Sequence, residues 1–303
     1  MTSSKSSDFK VSIVIVNYNA GDLLLRCIKN CILQAFELIV VDNASVDGSL
    51  QVMLNEFSQF TNLQVIRNSE NIGFAAACNL GANVATAEFV LFLNPDCLAA
   101  EDSVHLLVDA LCEFPLAGMA GGLLLDPNGQ EQQGGRRYVP TPWRSLVRVL
   151  RLEVFQNRWP KLFQDFNLKN QTLPKTNVTL EAISGACTMV KREAMKDVGP
   201  WDDGYFLHCE DLDLCMRYRQ KGWSILFVPN ARFTHFQGAC SRSRPLFVEW
   251  HKHRGMMRFY GKFFRHQYPG ALMLLVGLGV WLRFAAIACI IFIKSLLRKS
   301  DQR

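Results

Sequence analysis

Short β-rich runs alternate with helix-like stretches along the first hundred residues, and this alternation constrains the fold more than any other feature of the sequence. The first run, residues 11–16, is apolar throughout, which is typical of a strand buried on both faces. Such alternation predicts a doubly wound, Rossmann-like α/β domain whose mainly parallel sheet is flanked by helices. We predict strands over residues 11–16, 38–41, 63–66 and 89–93, and helices over residues 22–33, 49–57 and 75–84.

Polar side chains follow three of these strands. Asn17 and Asn19 follow the first strand, Asp42 follows the second, and Asn94 and Asp96 follow the fourth. Ligands of such sheets bind beyond the carboxyl ends of the strands, where loops and helix N-termini converge. Each residue alone is weak evidence, since Asp and Asn also favour turns. Together they fit a nucleotide diphosphate, and a carboxylate such as Asp96 suits the Mg²⁺ or Mn²⁺ that would accompany its phosphates.

Composition limits the remaining choices. A chain of 303 residues with 49% hydrophobic content is long enough for one full domain and an extension. The net charge of +6 is compatible with nucleic acid, anionic lipid or phosphorylated substrates and does not choose between them. Ten scattered cysteines predict buried, reduced thiols. The polar residues 1–10 contain no apolar signal sequence, so we expect a disordered N-terminus and folding in the cytoplasm.

The second half of the chain is less periodic. Residues 126–180 predict loops and irregular helices, followed by ordered structure over 181–191, a helix over 211–221 and a strand over 224–229. Glu210, Asp211 and Asp213 cluster where that helix begins. From the residues alone, an acidic first turn that complements the helix dipole is the simpler interpretation.

The C-terminal part, residues 242–303, combines basic and apolar stretches. Residues 271–293 have roughly the length of a bilayer crossing, and Arg283 is the one charged residue among them. A single span would carry Lys294 and the basic residues after it away from the cytoplasm, against the positive-inside tendency. We therefore favour an in-plane or re-entrant arrangement, with residues 252–265 against anionic lipid. The alternative is a pair of amphipathic helices packed on the domain.

Six motifs in order make a more specific resemblance. They are VSIVIVNYN, VVDNASVDGS, NIGFAAACN, LFLNPD, SGACTMVKREAMKDVGPWDDGYFLHCEDLDLCMRYRQKGW and FVPNARFTHFQGACS. This set resembles the family 2 glycosyltransferases of GT-A fold, and especially the rhamnosyltransferase-like and galactofuranosyltransferase-like members. The resemblance covers residues 11–241. It implies one GT-A domain over these residues, in which an inverting hexosyltransferase uses a nucleotide-diphosphate sugar.

The resemblance also assigns roles on the donor side. Asp42 corresponds to the family residue that binds the donor's pyrimidine base, with Asn17 and Asn19 lining the same pocket. Asn94-Pro95-Asp96 falls where many relatives have Asp-x-Asp, which makes Asp96 the metal ligand. Asn94 replaces the first acid, so the site has one negative charge fewer for the cation.

On the acceptor side, Asp211 corresponds to the general base of the family's acidic pair, with Glu210 beside it. His235 corresponds to a histidine that completes the metal site, although a lone histidine after a strand is more often a surface residue.

Gly73 and Asn79 either bring the backbone and an amide side chain close to the donor or form a simple turn.

For three further residues a structural role is the simpler interpretation. His208 takes the place of an aromatic residue in relatives and is predicted to pack. Arg217 and Arg219 either contact a diphosphate or, as the simpler interpretation, belong to a solvated basic face.

The leading functional hypothesis is rhamnosyl transfer from dTDP-rhamnose to a saccharide or polyprenyl-diphosphate-linked acceptor in cell-envelope polysaccharide synthesis. The resemblance implies Mg²⁺ or Mn²⁺ as cofactor and no nucleic acid. The apolar and basic C-terminal segment predicts membrane lipid as a partner and, without a signal sequence, the cytoplasmic membrane face as location. Alternatives are a UDP-sugar donor (galactose, galactofuranose or N-acetylglucosamine) and a non-catalytic nucleotide-sugar-binding module. Nucleotidyl transfer is disfavoured because residues 14–19 lack the Gly-rich loop it needs. The sugar, the acceptor hydroxyl and the oligomeric state stay open.

Overall fold

The computed structural model describes residues 9–238 and 244–300. Most of the predicted disordered segment, together with Ser241 of the last motif and the proposed domain boundary at 241/242, lies outside the described residues. The strands are β1 Val11–Asn17, β2 Glu37–Asp42, β3 Leu63–Arg67, β4 Phe89–Leu93, β5 Cys97–Ala99, β6 Ala117–Leu125, β7 Arg136–Arg137, β8 Val178–Leu180, β9 Ala182–Ile183, β10 Cys187–Lys191 and β11 Ser224–His235.

The helices begin and end close to the predicted positions wherever a helix was predicted. They are α1 Asp22–Cys31, α2 Ser49–Phe57, α3 Phe74–Val84, α4 Ser103–Glu113, α5 Pro142–Val149, α6 Arg192–Val198, α7 Glu210–Gln220, α8 Pro245–Phe263 and α9 Gly270–Ser300, with a 3-10 turn at Leu152–Phe155. The acidic cluster therefore opens α7, as the sequence predicts.

One large sheet carries the domain, in the order β3-β2-β1-β4-β10-β6-β11-β5, with β8 paired to β11. Strands β3, β2, β1 and β4 are parallel, as predicted. Strand β10 is antiparallel to both of its neighbours, and β5 and β8 are antiparallel to β11. The α/β class with flanking helices is confirmed, and the sheet is mixed because β10 enters between β4 and β6.

Strand β6 has no counterpart in the sequence-based prediction. Its sequence, AGMAGGLLL, is rich in small residues with low strand propensity. The structure explains them, since a Cβ atom on Gly121 would lie 2.7 Å from Ile183 Cδ1 and one on Gly122 would collide with the carbonyl oxygen of Ala231. Glycine is therefore required here by close packing against neighbouring segments.

Both faces of the sheet are covered by helices. One apolar cluster joins the sheet to α1, α2 and α4, and the other joins it to α3, α6, α7 and α8. Because both faces are sealed, polar side chains gather at the edge formed by the strand ends, which places the candidate site there.

The cysteines behave largely as predicted. Nine of the ten lie in the described part of the chain, and all nine are free thiols. Seven of these are buried, whereas Cys112 and Cys289 are exposed. The expectation of buried thiols is confirmed apart from these two positions.

The C-terminal helices differ in how they contact the domain. Helix α8 packs onto it through Phe259 and Phe263, and Asp202 binds both Arg258 and Lys262. Within α9, Gly270–Ser295 is long and apolar enough to cross a membrane, and only 6% of its most apolar window is buried. At about 1.5 Å per residue this segment measures about 39 Å, more than the hydrocarbon core of a bilayer.

Two expectations for this region are corrected. Helix α9 is continuous, so it has no break at which a re-entrant segment would turn back, while an in-plane arrangement stays a prediction. Met273, Val276 and Val280 pack against the domain, but most of the helix is exposed, unlike a helix packed on the domain along its length. The basic residues of 252–265 are partly neutralised, because Lys252 binds Glu249 while Arg258 and Lys262 bind Asp202. Fewer positive charges than predicted are therefore available to lipid.

Candidate active site

The ends of β1 and β2 form a pair of facing polar side chains. Asn17 and Asp42 are register partners, and Asn17 Nδ2 donates to Asp42 Oδ1 at 2.7 Å. The same amide nitrogen lies 3.0 Å from the hydroxyls of Ser45 and Ser49. The second oxygen, Asp42 Oδ2, accepts the backbone N–H of Ser45 at 3.1 Å. This network fixes the carboxylate and the loop after β2 in one arrangement.

Asn19 fixes the same loop from the other side. Its backbone adopts a left-handed conformation (φ 53°), which asparagine tolerates better than most residues. Its side-chain oxygen accepts the backbone N–H of Val46 at 2.8 Å, and its own N–H donates to Ser45 Oγ at 3.0 Å. Asn17, Asn19 and Asp42 therefore lie together, as the sequence predicts.

Asn43 is a central residue that the sequence analysis missed. Its side chain donates to Asn71 Oδ1 and to the carbonyl of Gly73, and it accepts from Asn68 Nδ2 at 2.9 Å. It thus ties the end of β2 to the loop between β3 and α3. The signal was available, since Asn43 follows Asp42 directly in the VVDNASVDGS motif.

Gly73 and Asn79 connect this loop to the segment before α7. Gly73 has φ 90°, and a Cβ atom there would lie 2.8 Å from the carbonyl oxygen of Phe206, so glycine is required. Asn79 bonds the backbone of Trp201 through both ends of its amide, each at 2.9 Å. Because both ends are used, Asn79 holds the Trp201 loop, and its side chain is not brought together with Asp42 or Asp96.

Asp96 and His235 meet at the junction of β5 and β11. Asp96 Oδ1 lies 3.2 Å from His235 Nε2, and both side chains are 7% exposed. His235 Nδ1 contacts Gln132 Oε1 at 2.6 Å. With Nδ1 bound to Gln132, Nε2 is the ring nitrogen that faces Asp96, which is the orientation found in metal-binding histidines. Gln132 comes from the irregular middle of the chain, and no motif indicated it.

These residues fit a divalent cation, although the described residues contain no group of three or more His, Cys, Asp or Glu side chains that could hold one. A carboxylate and an imidazole are competent ligands for Mn²⁺. Asn94 Oδ1, two residues before Asp96, is buried and has no hydrogen-bond partner. An unpaired buried carbonyl oxygen is costly, and a ligand or ion would satisfy it.

Asp211 lies in the first turn of α7 and is held on three sides. Its Oδ2 accepts the backbone N–H of Gly185 at 3.1 Å and forms an ion pair with Arg137 Nη2, while Oδ1 accepts the N–H of Leu212 at 2.8 Å. A carboxylate has about four acceptor positions, so one remains for another proton donor. Arg137 belongs to β7 and was not predicted as a site residue.

Glu210 is buried beside Asp211, and its pKa is raised. Burial, and after it the charge of Asp211, raise the pKa of Glu210 to about 8. The two residues before it, His208 and Cys209, both have positive φ (68° and 70°). Consecutive non-glycine residues in this conformation are strained, and such strain is concentrated at functional sites.

The remaining charged residues of α7 are structural. Asp213 is fully buried and binds Arg217 Nε and Lys262 Nζ, each at 2.6 Å. The Arg217 side chain is therefore held against a buried carboxylate, so its interpretation as part of a solvated face is wrong. Arg219 is exposed, as predicted. The His208 residue is exposed as a whole, but burial lowers the pKa of its imidazole to about 4, so its interpretation as a packing residue stays a prediction.

A chain of contacts joins these groups along one edge of the sheet. Asp42 and Asn17 end neighbouring strands, and β1 is adjacent to β4, which Asn94 follows. Asn94 N–H donates to the carbonyl of Ala186 at 2.9 Å, and the preceding residue, Gly185, binds Asp211. Asp96 lies three residues past the end of β4 and directly before β5, which pairs with β11. Neighbouring contacts therefore link the ends of β1, β2 and β4 to the Gly185 segment that binds Asp211.

Comparison with known sequences agrees with this architecture. The sequence profile described as glycosyl transferase family 2 matches residues 12–199. The chain belongs to this family and is a glycosyltransferase of GT-A fold. An N-acetylglucosaminyl-diphospho-decaprenol L-rhamnosyltransferase of Mycobacterium tuberculosis is 29% identical over 237 residues, which cover 74% of this chain and 75% of that protein.

Solved structures resemble the chain in fold. A mannosyltransferase from Pyrobaculum calidifontis, in complex with GDP-Man and Mn²⁺, aligns with a TM-score of 0.56 and 18% identity over 97% of this chain and 79% of its own. GalNAc-T7 with UDP, GalNAc and Mn²⁺ aligns with a TM-score of 0.57 and 19% identity, over 75% of this chain and 44% of its own. At these identities the likeness concerns the fold alone.

Proposed function

We propose that this glycosyltransferase moves rhamnose from dTDP-rhamnose to a lipid-linked saccharide, with inversion at the anomeric carbon. The observation that carries the proposal is the position of Asp211, a carboxylate fixed by Gly185 N–H on the same sheet edge as the Asp96–His235 pair. Rhamnose and the lipid-linked acceptor are suggested by the name of the Mycobacterium tuberculosis relative.

In this proposal the donor's base lies against the ends of β1 and β2. A pyrimidine ring N–H donates to Asp42, whose two oxygens each have one protein donor and keep room for another. Asn17 orients the carboxylate, and Asn19 shapes the surrounding loop. Gly73 lets the backbone after β3 approach the same pocket.

The diphosphate lies next to Asp96, His235 and Asn94. Asp96 and His235 would hold a divalent cation, which supplies positive charge to the leaving diphosphate. Gln132 orients the imidazole so that Nε2 faces this position. Asn94 has an amide oxygen without a partner, which offers an additional neutral ligand.

Transfer needs one proton acceptor and no covalent intermediate. The acceptor hydroxyl attacks the anomeric carbon from the face opposite the diphosphate, the bond from that carbon to the diphosphate oxygen breaks, and the hydroxyl proton passes to Asp211. One displacement inverts the configuration. Glu210, protonated near neutral pH because its pKa is about 8, adds no second negative charge beside the base.

Membrane location follows from α9 and from the proposed acceptor. Helix α9 is exposed and apolar over a length that suits a bilayer, and α8 attaches it to the catalytic domain. A polyprenyl-diphosphate-linked saccharide would be reached at the membrane surface, and cell-envelope polysaccharide synthesis on the cytoplasmic face is the setting that we propose.

A donor panel tests the proposal. The detergent-solubilised full chain is incubated with dTDP-rhamnose, UDP-galactose, UDP-galactofuranose or UDP-N-acetylglucosamine, with Mn²⁺ or Mg²⁺ and a polyprenyl-diphosphate-linked saccharide. We expect product from dTDP-rhamnose only, with inverted anomeric configuration by NMR. Product from a UDP-sugar alone would reassign the donor, and donor binding without turnover of any acceptor would indicate a binding module.

A further inference from the structure

The segment between β7 and β8 carries an exposed apolar surface that sugar transfer does not use. We name residues 142–163, which comprise α5 and the 3-10 turn, the insertion surface. Eight large apolar side chains of this surface are exposed, from 40% for Leu146 to 72% for Val154. A contiguous exposed apolar area of this kind marks an interaction site in a soluble domain.

The aromatic residues of the insertion surface are arranged as a cluster. Trp159 contacts both Phe155 and Phe163, and Trp143 packs beside Phe163 at a centroid distance of 6.5 Å. Trp143 Nε1 donates to the carbonyl of Leu162 at 2.6 Å, which closes the loop on itself. Trp143 and Trp159 are nevertheless 41% and 49% exposed. A tryptophan whose apolar ring is packed on one side and exposed to water on the other is typical of the membrane interface.

The charge of this surface favours an anionic partner. Residues 142–163 contain five basic residues and one acidic residue, Glu153. Arg144 and Arg148 bind carboxylates of the domain, whereas Arg151, Arg158 and Lys161 are exposed among the apolar side chains. Exposed basic residues interleaved with Trp, Phe and Leu match the composition of segments that lie in the headgroup region.

The insertion surface is joined to the candidate membrane helix through α8. Tyr260 of α8 donates its hydroxyl to Ser145 Oγ of α5 at 2.6 Å, and the Tyr260 ring is buried. On α8, Trp250 also contacts Trp281 of α9 at a centroid distance of 5.1 Å. Helix α8 therefore contacts both α5 and α9, and the insertion surface is structurally continuous with the segment that would enter the bilayer.

We propose that the insertion surface is a second membrane contact, which docks on anionic lipid headgroups beside α9. The proposal rests on the membrane location given above. It also gives the segment a function in catalysis, because Arg137, five residues before α5, forms the ion pair with Asp211. Docking of residues 142–163 would hold the Asp211 side of the cleft at headgroup level, where the diphosphate of a lipid-linked acceptor lies.

Tryptophan quenching by brominated lipid tests the docking. The full chain is reconstituted into vesicles of phosphatidylglycerol and brominated phosphatidylcholine, as wild type and as W143F/W159F. Emission that the double variant lacks belongs to Trp143 and Trp159, and the emission that it keeps comes from Trp201, Trp223, Trp250 and Trp281. Of these four, Trp250 and Trp281 lie at the contact between α8 and α9. We expect the difference emission to be blue-shifted and at least twofold quenched relative to non-brominated vesicles.

Two controls make the outcome decisive. L146E/V149E changes exposed side chains of α5 and should reduce quenching of Trp143 and Trp159, whereas L33E/L116E, at exposed positions outside this surface, should not. Unquenched difference emission, together with quenched emission from the double variant, would overturn the second contact alone. Unquenched emission from both the wild type and the double variant would overturn the membrane location as well.

Discussion

The two halves of the candidate active site are built from different interactions. The strand-end half, with Asn17, Asp42, Asn94 and Asp96, consists of short side chains at or just after the ends of β1, β2 and β4, and Asn17 and Asp42 are register partners. The acidic-helix half, with Arg137, Glu210, Asp211 and Asp213, consists of charged groups from distant segments. The first half is held by the sheet itself, whereas the second depends on ion pairs and should respond more strongly to substitution and to pH.

The comparison predicts that chemistry and donor binding can be separated. We expect D211N to lower kcat by about 10²- to 10⁴-fold, because asparagine cannot accept the acceptor's proton. Donor affinity should stay within about threefold, since Asp42 and Asp96 lie in the other half. Rates with dTDP-rhamnose and affinities from calorimetry check this.

D203N is the matched control for D211N, since Asp203 is an exposed carboxylate in the loop before α7. It should leave both constants unchanged. If D211N weakened donor binding as much as turnover, the two halves would not be separable and the base assignment would be wrong.

The next largest effect concerns stability in the acidic-helix half. D213N should lower the free energy of unfolding by about 2–3 kcal/mol, because Asp213 is fully buried and neutralises Arg217 and Lys262, which are partly exposed. Denaturant unfolding in detergent measures the change. D197N removes an exposed pair with Lys221 and should have no measurable effect. Equal stabilities of D213N and D197N would contradict the importance of the buried pair.

A smaller effect is expected where the two halves meet the cation. Gln132 contacts His235 Nδ1 but is not itself one of the proposed metal ligands. Q132A should weaken Mn²⁺ binding about 10- to 100-fold, the usual range for loss of a group that orients a ligand. Electron paramagnetic resonance of free Mn²⁺ measures the affinity. Q133A, an exposed neighbour, is the control, and equal affinities would exclude the orienting role.

The same comparison explains how much of the structure the sequence could predict. Elements of the strand-end half begin and end near their predicted positions because each has a clear hydrophobic period and a polar stop. Helix α2 and strand β4 match their predicted limits. Asn17, Asp42 and Asp96 were predictable because strand ends must converge at one sheet edge.

The acidic-helix half depends on contacts that no local pattern encodes. Arg137 reaches Asp211 across 74 positions, and Gln132 reaches His235 across 103. Strand β6 was missed because close packing, rather than strand propensity, selects its glycines. Asn79 was given a donor contact because sequence shows that an amide is present, but not that Trp201 already uses both of its ends.

The effect that is confined to one pH window tests whether Glu210 is a carboxyl group kept protonated by its surroundings. Its pKa rises from an ordinary 4.5 to about 8, so the folded state binds one more proton than the unfolded state between these values. Stability must therefore fall as pH rises through this window and level off above about pH 8. E210Q removes this dependence, and its stability relative to wild type should increase by about 3 kcal/mol from about pH 5 to about pH 8, because each pKa unit corresponds to about 1.4 kcal/mol. Unfolding temperatures of E210Q, of wild type and of the exposed control E193Q measure the difference. If the stability difference between E210Q and wild type did not change with pH, Glu210 would be ionised in the folded protein at neutral pH. Asp211 would then have a second negatively charged carboxylate beside it.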